Sequence, residues 1–210
     1  METIFPFVIT VSRQLGAGGM YVGKQLAKKL NLFYADRAII RQAATQLSAL
    51  EEVLESREEK VCSFWKSFQQ SFTFGATDVY IPPEINIPTS RELFETEAKI
   101  IQRIAKESSA VIIGRCGPYV LREHPNHINV FLHGKITFRR SRIQDLYHVP
   151  EGTAEKMIAR SDNDRARYHR TFTGREWMDA RRYHISLDTS AIGLDKSVEL
   201  IVKYTESIMV

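Results

Sequence analysis

The sequence predicts an α/β fold in which a parallel β-sheet is flanked by helices. Short runs of apolar and β-branched residues alternate with amphipathic helical patterns through most of the 210 residues. This alternation favours parallel strands, because each parallel crossover needs a connecting segment that is usually a helix. Hydrophobic residues make up 43% of the chain and charged residues 26%, which is typical of a globular domain with a real core. The length fits a single domain over residues 1–210.

The first strand and the first helix enclose a glycine-rich segment. "FPFVITV" is a continuous apolar and β-branched run, which predicts a buried strand. From Met20 the pattern is helical, because Val22, Leu26 and Leu30 fall on one face. Strand, glycine loop and helix therefore follow one another over "ITVSRQLGAGGMYVGKQLAKKL".

The later elements continue the alternation. "LFYAD" predicts a second strand that ends in Asp36, residues 38–60 favour a helix, and residues 89–108 favour a helix capped by Thr89 or Ser90. "AVIIG", "INVFLHG" and "HISLDTS" predict three more strands, and "GLDKSVELIVKYTESI" predicts a closing helix. Ligands of such sheets bind at the carboxyl ends of the strands, where the glycine loop, Asp36, the "GRC" turn and His133–Gly134 would lie.

Residues 61–90 are aromatic-rich and then proline-rich, which predicts an insertion packed on the main body. Phe64, Trp65, Phe68 and Phe72 recur at roughly helical spacing. We expect core packing or a homodimer contact from them rather than base stacking.

Composition limits the cellular compartments and the classes of ligand that we expect for this protein. No apolar run approaches the ~20 residues that a membrane span needs, and "METIFPFVIT" lacks the basic region of a signal peptide. Cys62 and Cys116 lie far apart and are expected to be reduced thiols, so we expect a cytoplasmic protein that does not bind membranes. The net charge of +4 comes with arginines crowded between Arg139 and Arg182 and no extended basic stripe, which favours small anionic ligands over nucleic acid.

The glycine loop has two possible frames. Gly18-xxxx-Gly23-Lys24 matches most of G-x-x-x-x-G-K-[ST], but Gln25 fails the last position and Lys24 is already one turn into the helix. The second frame runs from Ser12 or Arg13 to Gly19, so that backbone N–H groups surround an anion at the helix N-terminus. A dinucleotide loop fails because Tyr21 replaces the third glycine. A strand-to-helix turn without a ligand is the alternative.

The segment "EKMIARSDNDRARYHR" is a second candidate site. Arg160, Asp164 and Arg167 fall at i, i+4 and i+7, so they share one helix face, while Arg165 and Arg170 point elsewhere. Two guanidiniums that flank a carboxylate suit a phosphorylated substrate, because arginine binds phosphate oxygens bidentately. A solvated helix face with weak ion pairs is the alternative.

Both segments match one family. The chain resembles bacterial cytidylate-kinase-like proteins, a branch of the P-loop nucleoside monophosphate kinases, through the loop segment quoted above, "FYAD", "VIIGRCGPYVL", "INVFLHG", "SDNDRARYHRTFTGREWMD" and "YHISLDTS". The resemblance covers nearly the whole chain. It implies a P-loop NTPase-type parallel sheet, a nucleoside-monophosphate-binding acceptor region near residues 36–105 and a lid near residues 145–180.

The resemblance also assigns site residues. The donor phosphates of ATP would be held by the loop, namely by Ser12, Arg13, Gly16, Ala17, Gly18, Gly19, Met20 and Tyr21. The acceptor nucleotide would be held by Asp36, Arg41, Arg115, Asp164 and Arg167. The resemblance implies Arg160 and Arg167 as catalytic cations, and the place of Arg13 at the start of the loop makes it a third candidate. Mg²⁺ would accompany ATP without a metal site built by protein ligands.

The donor half departs from the family pattern. Where cytidylate kinases have G-x-G-K-G-[ST], this chain has "GAGGMY", so the lysine position is Gly19 and the hydroxyl position is Tyr21. Ile113 and Cys116 stand where the family has acids beside the Gly-Arg pair. Arg13 is the nearest substitute cation, and the alternative is that it pairs with an acid and braces the loop. Cys116 is expected to be a small packing residue rather than a nucleophile.

The resemblance predicts ATP-dependent phosphoryl transfer to a nucleoside monophosphate, with CMP as the expected acceptor. Two other functions stay open. The eroded donor half fits a nucleotide-binding regulatory protein without kinase activity, and the same fold fits a kinase for another small metabolite.

Overall fold

A computed structural model describes residues 6–43, 45 and 91–208 of the chain. Within them, five strands form one sheet in the order β2-β3-β1-β4-β5, and every neighbouring pair is parallel. The strands are β1 Val8–Arg13, β2 Phe33–Ala35, β3 Ala110–Ile113, β4 His127–His133 and β5 Ile185–Asp188. The predicted fold class, a parallel sheet flanked by helices, is confirmed.

The first strand lies at the centre of the sheet, between β3 and β4. Val8 is opposite Ala110 of β3 and His127 of β4. The pairing with β4 continues to Ser12 and Arg13, so these two residues end the strand. The sequence had indicated instead that the loop begins at one of them. The apolar pattern stops at Val11, but backbone pairing does not depend on side-chain polarity.

Helices cover both faces of this sheet. They are α1 Gly19–Leu30, the described part of α2 at residues 37–43, α3 Arg91–Glu107, α4 Gly117–Val120, α5 Ile136–Tyr147, α6 Glu151–Thr173, α7 Thr189–Ile192 and α8 Leu194–Ile208, with a 3₁₀ turn at Ala180–Arg182. Helix α1 begins within one residue of the predicted start. Lys24 lies inside it, which agrees with the rejection of the Gly18–Lys24 frame.

Strand alternation divides the core into two layers. Val8 and Ile112 point to one face, where they pack against α2 and α3 through residues such as Ile40 and Ile101. Ile9, Val11, Val111 and Ile113 point to the other face, against Leu26 of α1 and Ile201 of α8. Burial on both faces explains the continuous apolar runs of the strands.

Helices α5 and α6 form a pair with a small core of its own. Ile143, Ala154 and Ile158 are buried there, and the side chain of Leu15 from the glycine loop packs against them. The loop is therefore attached to this helix pair by a side chain as well as by the sheet.

Several expectations lie partly or wholly outside the described residues, among them most of the helix over residues 38–60, the Cys62 thiol and the Thr89 or Ser90 cap. The aromatic segment with Phe64, Trp65, Phe68 and Phe72 is outside them, as is most of the predicted acceptor region. Of the helices that are described, none is long and apolar enough to cross a membrane.

Candidate functional site

The carboxyl ends of the five strands bring the predicted site segments to one edge of the sheet. The glycine loop follows β1, Asp36 follows β2, Gly114 and Arg115 follow β3, and Gly134 follows β4. This is the edge at which parallel sheets bind ligands. The predicted grouping of these segments is therefore observed.

The glycine loop turns sharply before α1. Gly16 and Gly18 have φ of 83° and 80°, which is the left-handed region that glycine adopts without strain. In the described part of the chain, their N–H groups form no hydrogen bond. Together with the first N–H groups of α1, which have no partner within the helix, they are donors suited to a phosphate.

The other loop residues are divided between packing and exposure. Ala17 is buried, and its carbonyl accepts a hydrogen bond from the hydroxyl of Thr189 at 3.1 Å. Met20 and Tyr21 are each 39% exposed. The Tyr21 hydroxyl donates to Asp195 Oδ1 at 2.6 Å, a bond that raises the pKa of Tyr21. Asp195 thus holds the hydroxyl that stands at the family's Ser/Thr position.

Arg13 crosses the position from which the family's lysine is missing. A Cβ on Gly19 would overlap Cγ of Arg13, and a Cβ on Gly114 would overlap its Nη1. The arginine side chain therefore runs over Gly19 and ends against Gly114. The absence of side chains at these two glycines is what leaves space for it.

No described residue is a counter-ion in contact with the guanidinium of Arg13. Among the described residues, none forms a hydrogen bond or ion pair with it. Burial lowers the pKa of Arg13 to about 9, with a further contribution from the positive charge of Arg165, and Asp36 opposes the shift from a distance. Over residues 6–43, 45 and 91–208, no acid pairs with Arg13, so the alternative in which such a pair braces the loop has no support from this part of the chain.

A carboxylate on α6 fastens the loop to the helix pair. Asp162 Oδ1 accepts from the N–H of Leu15 at 2.9 Å, and its Oδ2 accepts from Arg139 Nη1 at 2.6 Å. Arg139 is buried and also donates to the carbonyls of Gly134 at 3.0 Å and Leu15 at 3.3 Å. Arg165 Nη1 lies 3.5 Å from Asp162 Oδ1 and donates to the carbonyl of Arg13 at 3.2 Å.

The residues of α6 that the spacing predicts for substrate binding lie on a different face of the helix. Arg160, Asp164 and Arg167 do share one face, and Arg167 Nη2 donates to Asp164 Oδ1 at 2.6 Å. Their side chains are 57%, 50% and 79% exposed, and the structure does not bring them to the glycine loop. The face that meets the loop carries Asp162 and Arg165, so Arg165 points away from the face of Arg160, Asp164 and Arg167, as the spacing predicts.

The predicted acceptor arginines meet at a buried carboxylate. Glu97 of α3 is 1% exposed, and its Oε2 accepts from Nη2 of Arg115, whose side chain is 9% exposed. Arg41 Nε lies 3.8 Å from Glu97 Oε1. Burial lowers the pKa of Arg115 to about 10, and the positive charges of Arg37 and Arg41 act in the same direction.

An aromatic cluster of Phe94, Tyr168 and Phe172 joins α3 to α6 beside these arginines. The guanidinium of Arg115 lies 4.4 Å from the ring centroid of Tyr168, and the Tyr168 hydroxyl donates to Glu97 Oε2 at 3.3 Å. Phe94 stacks on Phe172 with ring centroids 4.4 Å apart. Burial raises the pKa of Tyr168 to about 12, so the phenol stays protonated and remains a donor.

Asp36 and Cys116 have local roles in this structure. Asp36 Oδ1 accepts from the N–H groups of Ala38 and Ile39, which makes it the N-cap of α2. Its contact with an acceptor stays a prediction. Cys116 is buried, and burial raises the pKa of its thiol to about 12, as a packing residue requires.

Sequence reasoning missed five residues of this site: Glu97, Arg139, Asp162, Arg165 and Tyr168. Asp162 and Arg165 have the same i, i+3 spacing as Asp164 and Arg167. Spacing alone therefore gave two equivalent faces of α6, and only the packing of the helix distinguishes them.

The chain is similar to known proteins in both sequence and structure. The family model described as "Cytidylate kinase-like family" matches residues 8–191. No curated protein sequence matches the chain. An uncharacterized protein from Eubacterium ventriosum ATCC 27560 has a similar fold, with a TM-score of 0.72 and 22% identity over 96% of this chain and 99% of that one.

Two solved kinase structures are less similar to this chain. Shikimate kinase from Bacteroides thetaiotaomicron has a TM-score of 0.49 and 15% identity over 95% of this chain and 98% of that one. A gluconokinase from Sinorhizobium meliloti 1021 has a TM-score of 0.48 and 15% identity over 98% and 97%. The family model spans most of the chain, including the loop, the Gly114–Arg115 turn and all of α6. The chain therefore belongs to the cytidylate kinase-like family.

Proposed function

We propose that this protein transfers the γ-phosphoryl group of ATP to a nucleoside monophosphate, with CMP as the acceptor. Membership of a kinase-like family supports phosphoryl transfer in general terms. The acceptor is the finer part of the proposal and follows from the resemblance to cytidylate kinases.

The observation that carries the proposal is the half-buried guanidinium of Arg13, which has no ionic or hydrogen-bond partner among the residues that the structure describes. A cation taken out of water is stable only if a counter-charge is near, and the described residues give Arg13 no contacting carboxylate. Arg115 and Arg165 add positive charge around it. The site therefore favours a polyanion, and the donors of the glycine loop fit the phosphates of a nucleotide.

Each group then has a defined task. The N–H groups of Gly16 and Gly18 and the guanidinium of Arg13 bind the donor phosphates. Arg115 binds the acceptor phosphate, and Arg165 lies between the loop and α6, where charge develops during transfer. An acceptor phosphate oxygen forms a bond to the γ-phosphorus as the bond to the bridging β,γ-oxygen breaks, and ADP leaves. Catalysis is positioning and charge stabilisation, since an anionic acceptor needs no general base.

The described residues offer no complete protein cage for Mg²⁺, an ion that proteins usually bind through one or two carboxylates together with substrate phosphates. No group of three histidine, cysteine or acidic side chains is arranged for a metal within them. The Tyr21 hydroxyl, at the position of the family's metal-binding Ser/Thr, is bound to Asp195. We therefore assign no step to a protein-bound metal ion. Any Mg²⁺ would arrive with the triphosphate.

The same observation at Tyr21 favours a second candidate function. A loop that lacks both the lysine and the small hydroxyl residue could bind a nucleotide without transferring phosphate. In that case the protein would be a nucleotide-binding regulator. A kinase for another small phosphorylated or hydroxylated metabolite is a third candidate.

A coupled assay of ADP release, with purified protein, ATP and each of CMP, UMP, dCMP, AMP and GMP, tests the proposal. We expect turnover with CMP and a loss of turnover in the variant Arg13→Ala. Arg122→Ala is the matched control, because Arg122 is an exposed arginine that stacks on Tyr119 just before β4, at the opposite edge of the sheet. Calorimetric binding of ATP and CMP without turnover would instead identify a binding protein, and turnover only with other acceptors would replace CMP.

A further inference from the structure

The buried carboxylate of Glu97 lies where three parts of the chain meet. Arg115 reaches it from the turn after β3, Arg41 from α2, and Tyr168 from α6. A carboxylate that is 1% exposed is costly to bury, so its position is fixed by the groups that bind it.

Arginines surround Glu97, and one of them keeps a buried donor without a partner among the described residues. The positive charges of Arg37 and Arg41 act on Arg115, and Glu97 contacts both Arg41 and Arg115. The side chain of Arg115 is nine-tenths buried, yet its Nε has no hydrogen-bond partner among the described residues. An unsatisfied, buried donor on a cationic side chain indicates an anionic ligand.

Two contacts hold Arg115 in one orientation. Glu97 binds Nη2, and the ring of Tyr168 covers the guanidinium plane at 4.4 Å. The backbone of Arg115 is itself in the left-handed region, with φ of 53°. A side chain on such a strained turn needs these contacts to keep its remaining donors directed at a ligand.

We propose that Glu97 is the positioning residue of the acceptor-phosphate site. It orients Arg115 and Arg41 so that they can bind a phosphate monoester, and the hydrogen bond from Tyr168 links Glu97 to α6. The inference rests on the proposed function, because it takes the acceptor to be a phosphorylated nucleoside. It adds a residue that touches no substrate and acts only through the arginines.

Electrostatics gives this inference a sharp test. If Glu97 only neutralised charge, then Glu97→Gln would make the site more positive and would tighten the binding of an anion. If Glu97 positions the arginines, the same change weakens that binding. The two roles therefore predict opposite signs for one measurement.

The experiment measures the binding of CMP, cytidine and ATP to the full chain by calorimetry. For Glu97→Gln we expect CMP affinity to fall ~10-fold, the loss typical of a charge-assisted hydrogen bond, with cytidine and ATP affinities unchanged. Tyr168→Phe keeps the ring over Arg115 and removes the hydroxyl, and CMP affinity should fall ~3-fold as one neutral-donor hydrogen bond is lost. Tyr119→Phe is the control, because Tyr119 also stacks on arginines but has no such carboxylate partner in the described structure.

Unchanged or tighter CMP binding in Glu97→Gln overturns the inference, as does a parent chain that binds CMP no better than cytidine. If Glu97→Gln does not fold, Tyr168→Phe decides in the same way. CMP binding that depends on Glu97 without any ADP formation would leave this inference standing and overturn the proposed function. If CMP is turned over equally well by the parent chain and by Glu97→Gln, the proposed function stands and this inference is overturned.

Discussion

The side chain of Arg13 occupies the space beside the Cα of Gly19 in which a Cβ would otherwise lie. The cation at the end of β1 and the missing side chain at the start of α1 are therefore parts of one arrangement. Gly19 therefore cannot be changed to the family's lysine without a clash unless Arg13 is changed as well.

This relationship predicts a rescue. Arg13→Ala should weaken ATP binding ~10- to 100-fold, since a desolvated guanidinium–phosphate contact is lost. Gly19→Lys alone should also bind ATP poorly, because the new Cβ overlaps Arg13 Cγ. The double variant Arg13→Ala/Gly19→Lys removes the overlap and supplies a lysine, so it should bind ATP more tightly than either single variant. Calorimetry with ATP measures this, and CMP affinity serves as the control for folding.

A double variant that is no better than Arg13→Ala would show that residue 19 does not face the donor phosphates. Wild-type ATP affinity in Arg13→Ala would remove Arg13 from the donor site.

The two faces of α6 predict different kinetics. Arg165 bonds to the end of β1, so Arg165→Gln should lower kcat/KM for phosphoryl transfer by ~10-fold or more, as loss of a charge that stabilises the transition state does. Arg160→Ala and Arg167→Ala remove exposed side chains and should change kcat/KM by less than about 3-fold. Steady-state assays of the three variants compare the faces directly. The opposite ranking would support the residues that the family resemblance selects.

Asp162 predicts a stability difference between neighbouring acids. Asp162→Asn leaves the buried Arg139 without its carboxylate, and we expect the free energy of unfolding to fall by about 2 kcal/mol. Asp164→Asn is the matched control on the exposed face, where the expected loss is below about 0.5 kcal/mol. Urea denaturation measures both values. Equal losses would mean that the contacts of Asp162 with Leu15 and Arg139 add nothing to the fold.

His127 predicts a pH dependence of stability. Its Nε2 lies 2.8 Å from Thr10 Oγ1, and burial lowers its pKa from 6.5 to about 4. The unfolded chain therefore binds a proton between these values that the folded chain does not, so stability is complete above pH 6.5 and falls as the pH drops towards 4. The full contribution is at most about 3 kcal/mol.

Urea denaturation between pH 4 and pH 7 measures this slope. His127→Gln should flatten it, while a smaller slope of the same sign remains from His169, whose pKa is also lowered by burial. An unchanged slope in His127→Gln would assign the pH dependence to other groups.

Much of the fold could be predicted from the sequence because it depends on local patterns. The apolar runs of β3 and β4 and the periodicity of α1 and α8 are strong signals, since each element is buried on a defined face. The strand end at Ser12 and Arg13 was less predictable, because these polar residues pair through their backbones with β4.

The site was less predictable because it depends on tertiary contacts. Helix α6 carries arginines and acids on more than one side, so spacing could not choose between Asp162–Arg165 and Asp164–Arg167. Glu97 looked like one of several acids of α3, and only the approach of Arg115 and Tyr168 marks it. Arg13 could be selected from the sequence because the loop lacks the family's lysine at residue 19 and Arg13 is the nearest cation.

Leu15 gives the loop a property that its amide donors alone would not. Its side chain lies in the core of α5 and α6, its N–H is bound by Asp162, and its carbonyl is bound by Arg139. Nucleotide binding in the loop and the packing of α5 and α6 against the loop are then linked equilibria, because both involve Leu15. By reciprocity, if a bound nucleotide strengthens the contacts of Leu15 with α5 and α6, then stabilising those contacts must raise the affinity for the nucleotide by the same factor.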